Sequence, residues 1–295
     1  MSDRDLREQF DILLRPIREA TPPGLAQIRR RARHRAWAAA AASLAAVVAL
    51  AGVAVAFYLV AVERPAAAPQ GGTSSAPSAS TSAKTSRIAG GYQSTSAFTV
   101  SAAAGRVGTL VVRDDVGQVT VTGGSGSAIA VTQRLRYSRT PPTARHAVTG
   151  RTLTLTATCP AERMCTTSYV VRVPRGISVE IRTGTGAIRL YGLAGPVDAT
   201  AGIGEVFARG LAGRTVVLGT GTGEVNASFA SPPAVLRATA TTGEVALGLP
   251  RGTSYRVSAQ TGLGETTVKV PESPSSAYSI VVRVGTGAIV IAVGS

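Results

Sequence analysis

A short glycine-containing turn recurs six times in the C-terminal part of this 295-residue chain. The copies are GTGAIRL (184–190), GIGEVFA (202–208), GTGEVNA (221–227), TTGEVAL (241–247), GLGETTV (262–268) and GTGAIVI (285–291). Their second glycines follow one another at intervals of 18 to 23 residues. A near-constant period of this length is typical of proteins in which each repeat stacks on the next.

Each repeat consists of a strand, the glycine turn, a second strand and a turn of variable sequence. The fixed turn requires glycine because the chain reverses there with positive φ while neighbouring repeats lie only ~4.8 Å away. One apolar position is predicted to form an internal column, which Thr266 interrupts: Ile188, Val206, Val225, Val245 and Ile289. The segments from Tyr92 onward also alternate apolar and polar residues. The predicted fold class is therefore all-β, a β-solenoid with rungs of ~20 residues.

Glycine-rich turns of this kind also occur in nucleotide-binding loops. A phosphate cradle requires a helix after the glycines, whereas a strand follows each turn here. A calcium-binding β-roll would require an aspartate in each repeat and a shorter period. We therefore expect neither nucleotide nor nucleic-acid binding, and no cofactor.

Residues 36–62 contain no charged side chain and are long enough to cross a membrane as one α-helix. The sequence RRRARHR immediately precedes them, with basic residues Arg29, Arg30, Arg31, Arg33 and Arg35. The positive-inside rule places the N-terminus in the cytoplasm and the C-terminal domain outside the cell, with these arginines at the lipid surface. A cleaved signal peptide is the alternative, but the long polar start favours an uncleaved anchor.

The composition divides the chain into four segments. Residues 1–35 form a basic, weakly amphipathic cytoplasmic segment, and 36–62 form the predicted transmembrane helix. Residues 63–91 are rich in Pro, Ala, Ser, Thr and Gly, which predicts a disordered linker. The β-solenoid domain is predicted over 92–295, with its repeats in 184–295.

The two cysteines, Cys159 and Cys165, both lie in the predicted extracellular part. An oxidising compartment favours a disulfide between them, and two buried thiols are the alternative. Four glutamates share one position in the repeats: Glu205, Glu224, Glu244 and Glu265. They predict either a weak divalent-cation ladder or, as we favour, exposed carboxylates neutralised by nearby arginines.

The TGxGx(I/V) turns, with DDVGQVTVTG (114–123) and YVVRVPRGISVEIRTGTGAI (169–188), resemble the bacterial adhesin-like β-strand-repeat family DUF4097. The resemblance covers about 95–295. It implies a β-solenoid outside a membrane, often tethered and often near envelope-stress systems. It implies no catalytic residues.

Catalytic groups are scarce in this sequence. The only histidines are His34 and His146, and the adjacent Asp114 and Asp115 would point to opposite sides of a strand. We therefore predict that the protein is not an enzyme. Five arginines near His146 suggest attraction to anionic polymers of the cell envelope: Arg134, Arg136, Arg139, Arg145 and Arg151.

These features together predict a single-pass membrane protein that displays a non-catalytic adhesion, display or envelope-binding module. The alternative is an envelope-stress sensor that signals to a cytoplasmic partner through residues 1–35. The final strand, AIVIAVG (288–294), is expected to form an open sheet edge through which two copies of the chain associate.

Overall fold

A computed structural model of the protein describes residues 82–161 and 164–294. These residues form 18 β-strands and one short 3-10 turn, Ala103–Gly105, which confirms the all-β fold class. The basic segment, the predicted transmembrane helix and residues 63–81 of the linker lie outside the described residues. Within the part that is described, no helix is long and apolar enough to cross a membrane.

The strands before the repeats are β1 Ser82–Ile88, β2 Gly91–Ser101, β3 Thr109–Val116, β4 Val119–Gly124, β5 Ala128–Tyr137, β6 Thr143–Thr149, β7 Thr152–Thr158 and β8 Cys165–Pro174. The strands of the repeats are β9 Ser178–Thr185, β10 Ile188–Tyr191, β11 Val197–Ile203, β12 Val206–Leu211, β13 Thr215–Phe229, β14 Val235–Leu249, β15 Arg256–Leu263, β16 Thr266–Lys269, β17 Ser279–Thr286 and β18 Ile289–Val293.

Successive repeats pair in parallel and in register. Two strands that flank one glycine turn form a rung, and β13 and β14 each run through the turn as one continuous strand. In order of pairing, the first face contains β6, β7, β3, β9, β11, the start of β13, the start of β14, β17 and β15. The second face contains β1, β2, β5, β8, β4, β10, β12, the end of β13, the end of β14, β18 and β16.

The hydrophobic core lies between the two faces. Alternate side chains along each strand point inward, and the predicted column is fully buried: Ile188, Val206, Val225, Val245 and Ile289. Burial of each such side chain stabilises the fold by roughly 1.5–3 kcal/mol. Thr266, which interrupts the pattern in the sequence, is exposed. Stacking of inward apolar columns therefore accounts for the rung spacing in the sequence.

The glycine turns have the conformation that the repeat predicts. The second glycines have φ between +136° and +148°: Gly186, Gly204, Gly223, Gly243, Gly264 and Gly287. Each also approaches the backbone of the adjacent rung closely, so that a Cβ at Gly243 would lie 1.6 Å from the Gly223 carbonyl oxygen. Both conditions exclude other residues from these turns.

The rungs do not stack in chain order at the C-terminal end of the domain. The β17–β18 rung lies between β14 and the β15–β16 rung, so that β18 pairs with β14 on one side and β16 on the other. The expectation that the final strand is an open edge is therefore wrong. The more apolar rung takes the enclosed position, and the open edges at this end are those of β15 and β16.

The N-terminal end of the domain is built differently, from antiparallel strands. β1 pairs antiparallel with β2, β2 with β5, and β5 with β8, while β6 forms a hairpin with β7. The β-structure consequently includes Ser82–Ile88, which the sequence analysis placed in the linker. The end of the predicted linker is a strand because Ser82–Ile88 find backbone partners along β2.

The predicted disulfide between Cys159 and Cys165 is confirmed. It joins the start of β8 to the segment that leaves β7. The backbone N–H of Cys159 also donates a hydrogen bond of 3.3 Å to Asp115 Oδ2. The bridge thus fixes the connection between the two faces at this rung.

We expect the double substitution Cys159→Ser and Cys165→Ser to lower the free energy of unfolding by about 2 kcal/mol. The reason is that the unfolded chain gains the freedom that this small covalent loop removes. Denaturant unfolding of both proteins measures the difference. Adding a reductant should destabilise the unsubstituted protein and leave the double variant unchanged; equal responses would contradict the prediction.

Candidate functional site

A groove lies on the outer side of the second face, where β13, β14 and β18 end. Its volume is about 780 Å³. The residues that line its outer surface include Phe207, Arg209, Asn226, Ser228, Ala246, Gly248, Pro250, Val290, Ala292 and Val293. Its size falls in the range of small-molecule binding sites.

The groove results from a decrease in side-chain size across paired rungs, whose register is regular except for a shift between Ala208 and Leu211 of β12. Outward positions carry Phe207 and Arg209 on β12, Asn226 and Ser228 on β13, Ala246 and Gly248 on β14, and Val290 and Ala292 on β18. Because parallel rungs place equivalent residues side by side, small residues at equivalent positions leave a trough. Small side chains therefore form the floor of the trough, and the large side chains of β12 form its wall.

An aromatic pair supports this wall. The rings of Tyr191 and Phe207 lie 6.0 Å apart on adjacent strands and are tilted by 53°. On β13, Ser228 Oγ accepts a hydrogen bond of 3.4 Å from the Gly210 N–H, while Asn226 is half-buried beside it. The wall and floor thus combine one apolar ring surface with two polar side chains.

The charged residue that lines the groove is Arg209, while Glu224 and Glu244 lie on the same outward side, two residues before the lining residues Asn226 and Ala246. Arg209 in the wall is exposed, as are Arg214 and Arg251 in the variable turns that follow β12 and β14. The ion pairs found among residues 82–161 and 164–294 lie instead on the first face, where Arg113 meets Glu180 at 3.6 Å and Arg182 meets Asp198 at 2.7 Å. The three arginines near the groove therefore have no acidic partner within this part of the chain.

The glutamates lie on the glycine-turn edge of the stack. Glu205, Glu224 and Glu244 are on consecutive rungs, but Ala288 of the β17–β18 rung separates Glu244 from Glu265. The predicted four-membered column is therefore interrupted, because the rungs are not in chain order. Within the described segments, no three acidic, histidine or cysteine side chains are grouped so that they could hold a metal ion.

The arginines near His146 do not form one patch. Arg134 and Arg136 are exposed on β5 of the second face, whereas Arg145 lies on β6 of the first face. The Arg151 guanidinium lies at the turn that contains Gly105 and Gly108. These arginines are close in the sequence but lie apart in the structure, because β5 belongs to the second face whereas β6 and β7 belong to the first.

His146 and the N-terminal arginines are the remaining residues that the sequence singled out. His146 stacks on Phe98, with ring centroids 4.1 Å apart and planes inclined by 19°. The basic residues Arg29, Arg30, Arg31, Arg33 and Arg35 lie outside the described residues.

Asp114 is the one deeply buried carboxyl group among the described residues, with 3% of its surface exposed. On β3 it points inward after Leu110 and Val112, and its register neighbour on β9 is Thr183, also buried. Within the described residues, no hydrogen bond of good geometry reaches either Asp114 carboxyl oxygen. Burial, and secondarily the charge of Asp115, raise the pKa of the Asp114 carboxyl from 3.8 to about 7, and the nearby backbone N–H of Val116 offsets this rise in pKa only in part.

Comparisons with known proteins place the chain near adhesin-like structures without assigning it to a family. No family model and no curated protein matches the sequence. One similar solved structure is a candidate cell adhesion protein from Clostridium sporogenes, with 15% identity, 66% of this chain and 97% of that chain covered, and a TM-score of 0.41. A candidate adhesin from Bacteroides fragilis has 15% identity, 65% and 95% coverage, and a TM-score of 0.33.

A third structure, a candidate adhesin from Parabacteroides merdae, has 8% identity, covers 66% of this chain and 95% of its own, and has a TM-score of 0.31. These identities and TM-scores are too low to carry an argument about the function of this chain. The resemblance to DUF4097 stays a prediction from the glycine turns.

Proposed function

We propose that the domain is a β-solenoid that acts as a non-catalytic adhesion, display or envelope-binding module. The parallel register of the rungs and the shared glycine turns support the solenoid architecture. The observation that carries the binding role is the outer groove, since its lining joins the Phe207 ring, the polar side chains of Asn226 and Ser228, and the exposed Arg209.

The placement of the reactive side chains supports a non-catalytic role. Asp114, whose pKa burial raises to about 7, is closed off from solvent and cannot meet a substrate. The His146 ring is stacked on Phe98. The groove itself contains Asn226, Ser228 and Arg209, which can bind a ligand but do not form a nucleophile–base pair.

We further propose that the domain is held at the outer surface of a cell membrane. The support comes from the sequence: an uncharged segment over 36–62 follows a run of five arginines. Residues 63–81 would then connect the membrane helix to β1. In this arrangement the outer faces of the domain are available to envelope components.

A sedimentation experiment tests the binding role. Full-length protein is reconstituted into phosphatidylcholine vesicles, which are then mixed with washed bacterial cell-wall fragments. We expect several-fold more vesicle lipid to sediment with the fragments than from protein-free vesicles. Equal sedimentation would contradict the proposal, and selective retention of a cytosolic protein by a peptide of residues 1–35 would then favour the sensor alternative.

A further inference from the structure

We infer that the groove on the second face binds an anionic sugar polymer, a linear glycan whose units carry carboxylate or phosphate groups. This inference rests on the proposed function and specifies its ligand. It concerns residues that the sequence did not single out, because they come from four rungs that meet only in the folded domain.

The shape of the groove suits an extended chain. The trough lies across β13, β14 and β18, and its floor is formed by small residues, among them Ala246, Gly248 and Ala292. A volume of about 780 Å³ exceeds the space that a single ion or water molecule needs. Open sides allow a polymer to enter without a free end, which an enclosed pocket would require.

The wall and floor offer the contacts that a sugar ring requires. The apolar side of a pyranose ring packs against aromatic rings, and Phe207 supplies such a ring on the β12 side of the groove, with the Tyr191 ring of β10 packed against it. The hydroxyl groups at the ring edge need hydrogen-bond partners. Asn226 supplies both a donor and an acceptor, and the Ser228 hydroxyl lies on the same strand.

The charges select an acidic polymer over a neutral one. Arg209 lines the groove, Arg251 follows the lining residue Pro250, and Arg214 lies in the turn after β12. Guanidinium groups bind carboxylate and phosphate through paired hydrogen bonds. The exposed carboxylates Glu224 and Glu244 lie on the same outward side of β13 and β14, two residues before the lining residues Asn226 and Ala246, so we expect an acidic group to bind at the Arg209 end of the groove.

The test measures binding of the full-length protein in detergent to three soluble polymers. Polygalacturonate is an anionic glycan, dextran is a neutral glycan, and polyphosphate is anionic without sugar rings. We expect polygalacturonate to bind more tightly than either of the others. Polyphosphate binding as tight as that of polygalacturonate would show that the groove attracts anions without recognising sugar rings. Preferred binding of dextran would contradict the role of the arginines.

Two matched pairs of variants localise the binding. Arg209→Gln should weaken polygalacturonate binding about tenfold, as expected for one lost charge-assisted hydrogen bond, whereas Arg237→Gln on the outer first face should have no effect. Gly248→Leu should also weaken it by filling the floor. A Cβ there meets its nearest atoms at 3.5 Å or more, so the fold accommodates it. Gly126→Leu adds the same side chain where nothing lies within 4 Å.

The outcomes separate this inference from the proposed function. If the protein captures cell-wall fragments but the Gly248→Leu variant captures them equally well, the binding module stands and the groove is not its site. If the unsubstituted protein captures no fragments but binds polygalacturonate in the groove, the ligand class stands and the envelope role fails. Absence of polygalacturonate binding overturns the inference.

Discussion

Replacement of Asp114 by asparagine is expected to stabilise the protein by about 4 kcal/mol at pH 8 and to leave its stability nearly unchanged at pH 4. In the folded protein the carboxyl keeps its proton up to about pH 7, whereas in the unfolded chain it ionises near pH 3.8. Between these values only the unfolded state loses the proton. The free energy of unfolding therefore falls as the pH rises from about 4 to about 7, and this loss disappears when residue 114 cannot ionise.

Urea unfolding between pH 4 and pH 8 measures this effect. Asp115→Asn serves as the control, since Asp115 is exposed and is only the second cause of the raised pKa. That variant should keep most of the pH dependence. An unsubstituted protein whose stability does not change between pH 4 and pH 7 would show that the carboxyl finds a partner or a route to solvent.

Gly243→Ala is expected to destabilise the protein by roughly 4 kcal/mol or more, or to prevent folding. The new Cβ would lie 1.6 Å from the Gly223 carbonyl oxygen, and alanine rarely adopts the φ of +136° that this turn requires. Relief of the contact requires separation of two rungs that share thirteen paired positions between β13 and β14. Residue 243 therefore cannot relax alone.

The soluble yield and the thermal midpoint of each variant measure this loss. Gly126→Ala is the matched control. No atom lies within 4 Å of the Cβ position at residue 126, and the φ of Gly126 lies outside the positive range that favours glycine. It should behave as the unsubstituted protein does. If Gly243→Ala unfolded at the same temperature as Gly126→Ala, the close approach of the rungs at their turns would be refuted.

The sequence predicted the local features of the fold well. Positive φ at the glycine turns and burial of Val206, Val225 and Val245 both follow from a short repeat, because each depends on residues within one rung and its equivalent neighbour. The disulfide between Cys159 and Cys165 was predictable for the same reason. The spacing of residues in the sequence is sufficient to predict a contact wherever the interacting residues occupy equivalent positions in adjacent rungs or nearby positions in the chain.

The order of the rungs was not predicted, although the sequence contains a weak signal for it. The inward positions of β15 and β16 include Thr261 and Thr266, whereas those of β17 and β18 are occupied by Val284 and Ile289 among other apolar residues. The more polar rung belongs at an end of the stack, where one side meets water. This comparison of two adjacent repeats would have suggested the exchange.

The groove and the complete burial of Asp114 could not be predicted from local sequence patterns. The groove depends on outward residues from β12, β13, β14 and β18, whose neighbourhood follows only from the exact register and rung order. Asp114 follows Leu110 and Val112 at period two, and it points inward while Asp115 points outward, as the sequence predicted for adjacent strand residues, but nothing in the pattern indicated that the inward carboxyl would be fully enclosed. Polar residues in inward positions are the ones that sequence patterns misassign most readily.

The insertion of the β17–β18 rung makes assembly at this end a concerted event. In a simple linear array, repeats can add one after another, each stabilised by the one before. Here β15 and β16 have no direct pairing with β14, so they can dock only once the following segment of the chain has entered between them. The last two rungs at this end therefore depend on each other, whereas units such as β11–β12 pair directly with the rungs that precede and follow them in the chain.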